Sequence, residues 1–177
     1  MRAPAAVLFA WFAMAGSAFA DEAEATDRLL DFVSNGCIQS VITGAPVKDF
    51  AAARQARPAD EKFAGAVLGK DKGTVYLKDD PLYPVVLAER ADGPCTVNAM
   101  FPSDLAAMIA AVEDFIAGPG GGLYPVRTFE EQAGSGWTTH RIYLGRRRGK
   151  NLTVLFSTTP GATTIDQVMV AVAETKQ

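Results

Sequence analysis

Cysteine and histidine are nearly absent from this chain of 177 residues, which contains two cysteines and a single histidine. Zinc sites take three or four cysteine, histidine or carboxylate ligands, so this supply is too small for a typical one. Neither Cys37 nor Cys95 has a CxxC neighbour, the usual mark of a thiol redox pair. Asp79-Asp80 lacks the alternating acidic ligands of a calcium loop and is better interpreted as a solvated turn. We therefore predict no metal site and no cofactor.

Two common catalytic signatures are also missing. The chain has no GxSxG nucleophile elbow, and Gly134-Ser135-Gly136 is typical of a turn instead. The glycine-rich segment 118–122 follows a predicted helix and precedes a strand, which reverses the strand-to-helix order of a phosphate-binding loop. We interpret this segment as a helix-to-strand connection.

The longest apolar run lies at the beginning of the chain. Arg2 is followed by the apolar stretch 3–15 and by small residues within 16–20. A positive start, an apolar core and small residues before the cut are the parts of a secretory signal peptide. A retained membrane anchor is the alternative, but the unbroken run is shorter than the ~20 residues that cross a bilayer. We predict that residues 1–20 are cleaved after Ala20, which leaves a soluble periplasmic chain with no transmembrane segment.

Export determines how the cysteines and the charge are interpreted. Disulfides persist in oxidising compartments, so we predict a structural bridge between Cys37 and Cys95. It closes a loop of about sixty residues and stabilises the fold by about 4 kcal/mol on the chain-entropy model. Loss of residues 1–20 removes one cation, Arg2, and moves the net charge from −3 to about −4. A mildly acidic exported protein has no general attraction to nucleic acid, so we expect no such partner.

Helical periodicity is clearest in the first half and the centre of the chain. The segment 24–40 has apolar residues at spacings of three and four: Leu29, Phe32, Val33 and Cys37. Gly36 lies near the expected end of this helix. Pro46 starts a second predicted helix, and residues 59–70 predict only a short helical turn. A central helix is predicted over 105–116, because its apolar residues also recur with helical spacing.

Strand patterns are short and numerous. Three lie at 74–77, 85–87 and 95–97, and four more lie at 123–129, 137–144, 152–158 and 168–173. The segments between the last four are too short for crossover helices, which favours an antiparallel meander. We therefore predict one α+β domain over residues 21–177. It has two layers, with the N-terminal and central helices packed on an antiparallel sheet that ends in a strand-rich C-terminal meander.

His140 is the first candidate functional residue. Strand alternation places it on the same face as Ile142 and Leu144. It can serve as the base of a hydrolase only where the fold brings a serine and a carboxylate to it. A histidine that merely packs in a strand is the alternative.

The strongest charge feature is a run of four cations in five positions, Arg146, Arg147, Arg148 and Lys150, at a predicted hairpin tip. One interpretation is a solvated turn whose charges keep the strands from pairing with other chains. The other is a binding site for anionic lipid head groups, surface polysaccharide or an acidic protein.

Aromatic residues are a third candidate surface. Trp137 and the tyrosines at 76, 83, 124 and 143 either line a ligand cleft or pack as core and cross-strand pairs. In strands the second arrangement is the commoner one.

Three short motifs suggest a family. These are Leu29-x-x-Phe32-x-x-x-x-Cys37, then Gly73-Thr74-Val75-Tyr76, then Asp92-Gly93-Pro94-Cys95-Thr96-Val97. Together they resemble a group of small exported proteobacterial proteins of unknown function. The resemblance implies a periplasmic domain with one disulfide, and it supplies no activity and no catalytic residues.

The sequence as a whole favours a periplasmic binding or protein-interaction module that is not an enzyme. Its partner is expected to be a periplasmic protein or an anionic component of the envelope. The alternative is a small periplasmic hydrolase that uses His140.

Overall fold

The structure, a computed structural model, describes residues 23–80, 84–99, 105–119, 121–133, 136–161 and 167–175. The predicted signal peptide 1–20, Tyr83, Gly120 and the turn at Gly134-Ser135 lie outside these residues. No helix in the described ranges is long and apolar enough to cross a membrane.

The described chain forms eight strands. They are β1 Arg57–Pro58, β2 Gly73–Lys78, β3 Val85–Arg90, β4 Cys95–Ala99, β5 Tyr124–Ala133, β6 Gly136–Arg147, β7 Lys150–Thr158 and β8 Val168–Glu174. All pair antiparallel in one sheet, in the order β1-β2-β3-β4-β8-β7-β6-β5. Two four-stranded meanders, β1 to β4 and β5 to β8, therefore meet where β4 pairs with β8. The predicted α+β class and the antiparallel C-terminal meander are confirmed.

Four helices are described. They are α1 (residues 23–43), α2 Val47–Ala53, α3 Glu61–Leu68 and α4 Leu105–Ala117. The predicted turn within 59–70 is a full helix, because the Asp60 carboxylate accepts a hydrogen bond from the Phe63 N–H at 2.8 Å. Such a cap satisfies one of the free donors at the start of a helix.

The first predicted helix is confirmed over 24–40, and Gly36 lies within it and not at its end. It continues to Thr43 and stops at Gly44, whose φ is +73°. Its middle, Phe32–Ile38, is π-helical, and Gly36 is buried there. A Cβ at Gly36 would lie 3.0 Å from a ring carbon of Phe50 on α2. Glycine at this position serves close helix packing and not helix termination.

The sheet has an inner face, covered by α1, α2 and α4, and an outer face. The main core lies on the inner face and includes Leu87, Val97, Val170 and Phe156, which follow one another across four strands. Helix α3 packs on the outer face of β2 and β3, through a second cluster formed by Leu68, Val75, Val86 and Ala88. This small layer adds to the single helical layer that the sequence predicted. The outer face of β5, β6 and β7 carries the candidate sites.

The predicted disulfide between Cys37 and Cys95 is confirmed. It joins the π-helical part of α1 to the start of β4, and the two Cα atoms lie 5.3 Å apart. Both cysteines are buried, so the bridge fixes the first helix to the centre of the sheet from inside the core.

Candidate functional site

Both sites predicted from the sequence lie on or beside one strand. β6 carries His140 near its middle and Arg146 and Arg147 at its end. His140 and Arg146 both project from the outer face, because an even number of positions separates them. At about 3.4 Å per residue they lie about 20 Å apart, so they form two separate sites.

The hairpin tip predicted for the cation run is present. Arg148 and Gly149 form the two-residue connection between β6 and β7, with φ of +47° and +86°. Positive φ at both positions is typical of a type I′ turn, which favours Asn-Gly and makes arginine unfavourable at the first position. Arg147 also lies directly opposite Lys150, and facing like charges destabilise a strand pair. The tip therefore loses stability at two positions by carrying its cations.

Lys150 differs from the three arginines beside it. Its Nζ donates to the backbone carbonyl of Val41 and to the Glu174 carboxylate, each at 2.9 Å. The first contact satisfies a carbonyl in the last turn of α1, where a cation is also favourable. Lys150 was predicted as part of the binding site, but these contacts assign it a structural role, and we leave it outside that site.

Most arginines in the described residues have a carboxylate partner. The pairs are Arg28 with Asp80 and Glu24, Arg54 with Asp31, Arg57 with Asp79, Arg90 with Asp71, and Arg141 with Glu113. Four described arginines make no such pair, and all four lie on β5, on β6 or in the hairpin turn: Arg127, Arg146, Arg147 and Arg148. Three of these guanidinium groups are thus consecutive at the hairpin tip, and the fourth, that of Arg127, lies against Phe129 on the same sheet face.

A β-bulge near the start of β5 sets the direction of two side chains. Tyr124 lies opposite Leu144, and Arg127 lies opposite Ile142, with a register shift between them. Because paired residues project from the same face, the bulge puts both Tyr124 and Arg127 on the outer face. Val126, the extra residue, is 46% exposed and Tyr124 is 60% exposed.

Tyr124 and Arg146 lie at an open cleft of about 280 Å³ beside the hairpin. Its lining includes Tyr124, Leu144, Arg146, Asn151 and Thr175. The Arg146 Nε donates only a long hydrogen bond, of 3.3 Å, to the Gly149 carbonyl. We call the set Tyr124, Val126, Arg146, Arg147 and Arg148 the hairpin patch. It offers guanidinium donors for carboxylate or phosphate oxygens next to an exposed aromatic ring.

The histidine site lies further along the same face. The Nδ1 of His140 is 2.8 Å from the Ser157 Oγ, and its Nε2 is 3.6 Å from a Glu131 carboxylate oxygen. The ring stacks on Phe129 with centroids 4.8 Å apart, and Arg127 lies 4.9 Å from the Phe129 ring centre. The fold therefore brings a serine and a carboxylate to the histidine, as a hydrolase would need.

The geometry of this trio also favours a structural role. Ser157 is only 4% exposed, so its Oγ is poorly placed to attack a substrate. Glu131 is 70% exposed, and its distance of 3.6 Å is long for a hydrogen bond that holds the ring. These contacts hold the imidazole ring of His140 in one orientation between Phe129 and Ser157.

The other candidate residues named from the sequence lie in the core, on the surface or in ion pairs. Tyr76 and Tyr143 are buried in the core, whereas Trp137 is 59% exposed. Asp79 and Asp80 accept hydrogen bonds from Arg57 and Arg28 respectively.

Segment 118–122 leads from α4 to β5, as predicted. A Cβ at Gly121 would lie 2.0 Å from the Ile116 carbonyl oxygen, so the chain needs glycine to pass the end of the helix.

The sequence alone did not predict that Ser157 and Glu131 lie beside His140, because this depends on which strands pair with β6 and in which register. One signal was available: Arg148-Gly149 is a two-residue turn, and counting outward from it by equal steps pairs His140 with Ser157. The bulge that exposes Tyr124 and Val126 has no comparable signal in the sequence.

Comparisons with protein-family models, with curated proteins and with solved structures find no match for this chain.

Proposed function

We propose that the protein is an exported binding module, cleaved after Ala20, whose hairpin patch binds an anionic ligand. The observation that carries this proposal is that three of the four carboxylate-free arginines described above are consecutive at the hairpin tip. Salt bridges pair five other described arginines with carboxylates, while the three cations of the patch stand in consecutive positions and have no carboxylate partner among the described residues. The Cys37–Cys95 bridge is compatible with an oxidising compartment and supports export.

The cations of the hairpin lower its stability, which supports a functional role for them. A left-handed arginine and a facing pair of like charges both oppose folding, and a neutral Asn-Gly turn would avoid both. Residues that break local rules are concentrated at functional positions. An arginine also binds planar oxyanions through two parallel hydrogen bonds, which suits carboxylate and phosphate groups.

The test is salt-dependent retention on phosphocellulose. One variant combines Arg146→Gln, Arg147→Gln and Arg148→Asn. A matched control combines Lys48→Gln, Lys62→Gln and Lys70→Gln, which removes the same charge from exposed positions on and beside α2 and α3. We expect the control to elute like the wild type and the hairpin variant to pass through at low salt. Equal elution of the two variants would show that net charge alone matters and would overturn the proposal.

Hydrolysis is a second candidate function, supported by the Ser157–His140 contact of 2.8 Å and the nearby Glu131. In this reaction the Ser157 Oγ would attack an acyl carbonyl while its proton passes to His140. The bond between the acyl carbon and the leaving group would then break, with the leaving group taking that proton, and water would hydrolyse the acyl-enzyme to a carboxylic acid and free Ser157. A fluorophosphonate probe tests it. Labelling that Ser157→Ala abolishes and Ser34→Ala leaves intact supports the activity, and an unlabelled wild-type protein rules out a reactive serine.

A further inference from the structure

We propose that the hairpin patch docks on an anionic phospholipid bilayer, with Tyr124 and Val126 entering the interfacial layer while the three arginines contact head groups. This inference rests on the proposed function and names its ligand. It is carried by the composition of the patch, by its distances and by the directions in which its cations point.

The composition is that of a membrane-interface contact. Among the described residues, the large apolar side chains classed as exposed are Tyr124, Val126 and Trp137. Two of these lie at the start of β5, beside the hairpin tip. Amphipathic aromatic rings favour the boundary between head groups and acyl chains, and neighbouring cations are attracted to anionic lipid.

The spacing of the patch matches the depth of that boundary. Tyr124 lies opposite Leu144, two positions before Arg146 on β6. Two residues of a strand span about 7 Å, so Tyr124 and Arg146 lie in one shallow zone on the outer face, and Arg147 and Arg148 follow at about 10 and 14 Å along the hairpin. Interfacial groups enter a bilayer by roughly 5–10 Å, which is a comparable depth.

The directions of the cations favour a surface over a single small anion. Successive strand residues project from opposite faces, so Arg146 projects from the outer face and Arg147 from the inner face, while Arg148 stands at the turn. The three groups diverge and cannot all converge on one phosphate. A head-group layer that the hairpin enters at a tilt, with its outer face turned towards the bilayer, surrounds the tip and can contact all three while Tyr124 reaches the same layer.

Vesicle sedimentation tests the electrostatic part, using phosphatidylcholine vesicles with and without phosphatidylglycerol. We expect binding only with phosphatidylglycerol, weakened by salt. At about fivefold per arginine, the triple hairpin variant should bind about a hundredfold more weakly, and the triple lysine control should bind like the wild type.

Tryptophan quenching tests the insertion. Both reporter proteins are the mature chain 21–177, which has a single tryptophan because Trp11 lies in the predicted signal peptide. The first keeps Trp137, which is 59% exposed but lies opposite Gln132, about 24 Å along β6 from the Tyr124 position. The second carries Trp137→Phe and Tyr124→Trp. Lipids brominated on their acyl chains should quench the second reporter and leave the first unchanged.

The outcomes separate this inference from the proposed function. Binding to anionic vesicles without quenching at position 124 overturns insertion and leaves an anion-binding patch. Retention on phosphocellulose without vesicle binding points to a soluble phosphorylated or carboxylated ligand and overturns the lipid proposal alone. Absence of both kinds of binding overturns both proposals.

Discussion

Arg147 lies directly opposite Lys150 at the end of the β6–β7 ladder, yet only one of the two cations has an acidic partner. The Lys150 ammonium contacts Glu174 and the Val41 carbonyl, whereas the Arg147 guanidinium makes no ion pair within the described residues. Neighbouring cations in one run thus have different roles. The lysine ties the hairpin to α1 and β8, and the arginine is free to contact a ligand.

Lys150→Met separates these roles. The variant loses two contacts in which the ammonium is partly buried, so we expect the free energy of unfolding to fall by about 1 kcal/mol. Retention on phosphocellulose should change little compared with that of the hairpin variant. Urea unfolding and the elution salt measure the two effects, and a large loss of retention with unchanged stability would return Lys150 to the binding site.

Arg148→Asn should raise stability while it weakens binding. Asparagine tolerates the left-handed conformation of this turn better than arginine, so we expect a gain of about 0.5–1 kcal/mol in the free energy of unfolding. Arg148→Gln is the control, because it removes the charge but keeps a side chain unsuited to positive φ. Both variants should bind anionic vesicles more weakly, and only the first should be more stable.

Replacing both bridge cysteines, Cys37→Ala with Cys95→Ala, should lower the free energy of unfolding by about 4 kcal/mol. The bridge spans 58 positions of sequence, and closing a loop of that length removes this much entropy from the unfolded chain on the chain-entropy model. Reduction of the wild-type protein with dithiothreitol should produce a similar loss. Unfolding curves that coincide with and without the reductant would contradict the prediction.

Acid should weaken the contact between α1 and the end of α2. Hydrogen bonds from Arg54, followed by that from Asn35, hold the pKa of Asp31 below its ordinary value of 3.8. A lowered pKa gives stability that is present above pH 3.8 and is lost as the pH falls through the folded value. Asp31→Asn should therefore be less stable than the wild type at neutral pH, and the difference should shrink in acid. Asp27→Asn, at an exposed carboxylate on the same helix, is the control and should leave the free energy of unfolding at neutral pH close to that of the wild type.

Alkali should destabilise the core through Tyr143. Burial, with a smaller contribution from Glu113, raises the pKa of Tyr143 above its ordinary value of 10.0. The unfolded chain then ionises first, so the stability present below pH 10.0 is lost as the pH rises towards the folded value. Tyr143→Phe should flatten this part of the curve of unfolding free energy against pH. An unchanged slope would show that other groups, such as the buried Tyr76, set the alkaline limit.

Local patterns predicted most of the elements but not their assembly. The expected strand at 137–144 lies within β6, and the helix expected over 105–116 is α4, because periodicity and turn residues act over short range. The pairing of β4 with β8 joins segments about seventy residues apart and leaves no such local pattern. The role of Gly36 could not be predicted for a similar reason, since the side chain that limits the space at this position is Phe50 on another helix.

In the candidate site, too, some residues could be predicted from the local sequence and others depend on strand pairing. The charge run and its turn are contiguous in sequence, so the hairpin tip was predicted directly. Tyr124 was named only as one of several aromatics, because the bulge that exposes it depends on the register with β6. Ser157 and Glu131 reach His140 from both neighbouring strands, which makes the histidine cluster a product of the whole meander.

The seam between β4 and β8 gives the chain an order of assembly. β8 follows all the other strands in sequence, yet it takes the place between β4 and β7, so β1 to β4 and β5 to β7 have no direct pairing with each other without it. Cys37 and Cys95 both precede the second meander, so oxidation can secure the first half while the sheet is still divided. β8 therefore completes the sheet. A chain in which β8 has not yet paired leaves the edges of β4 and β7 available to other chains.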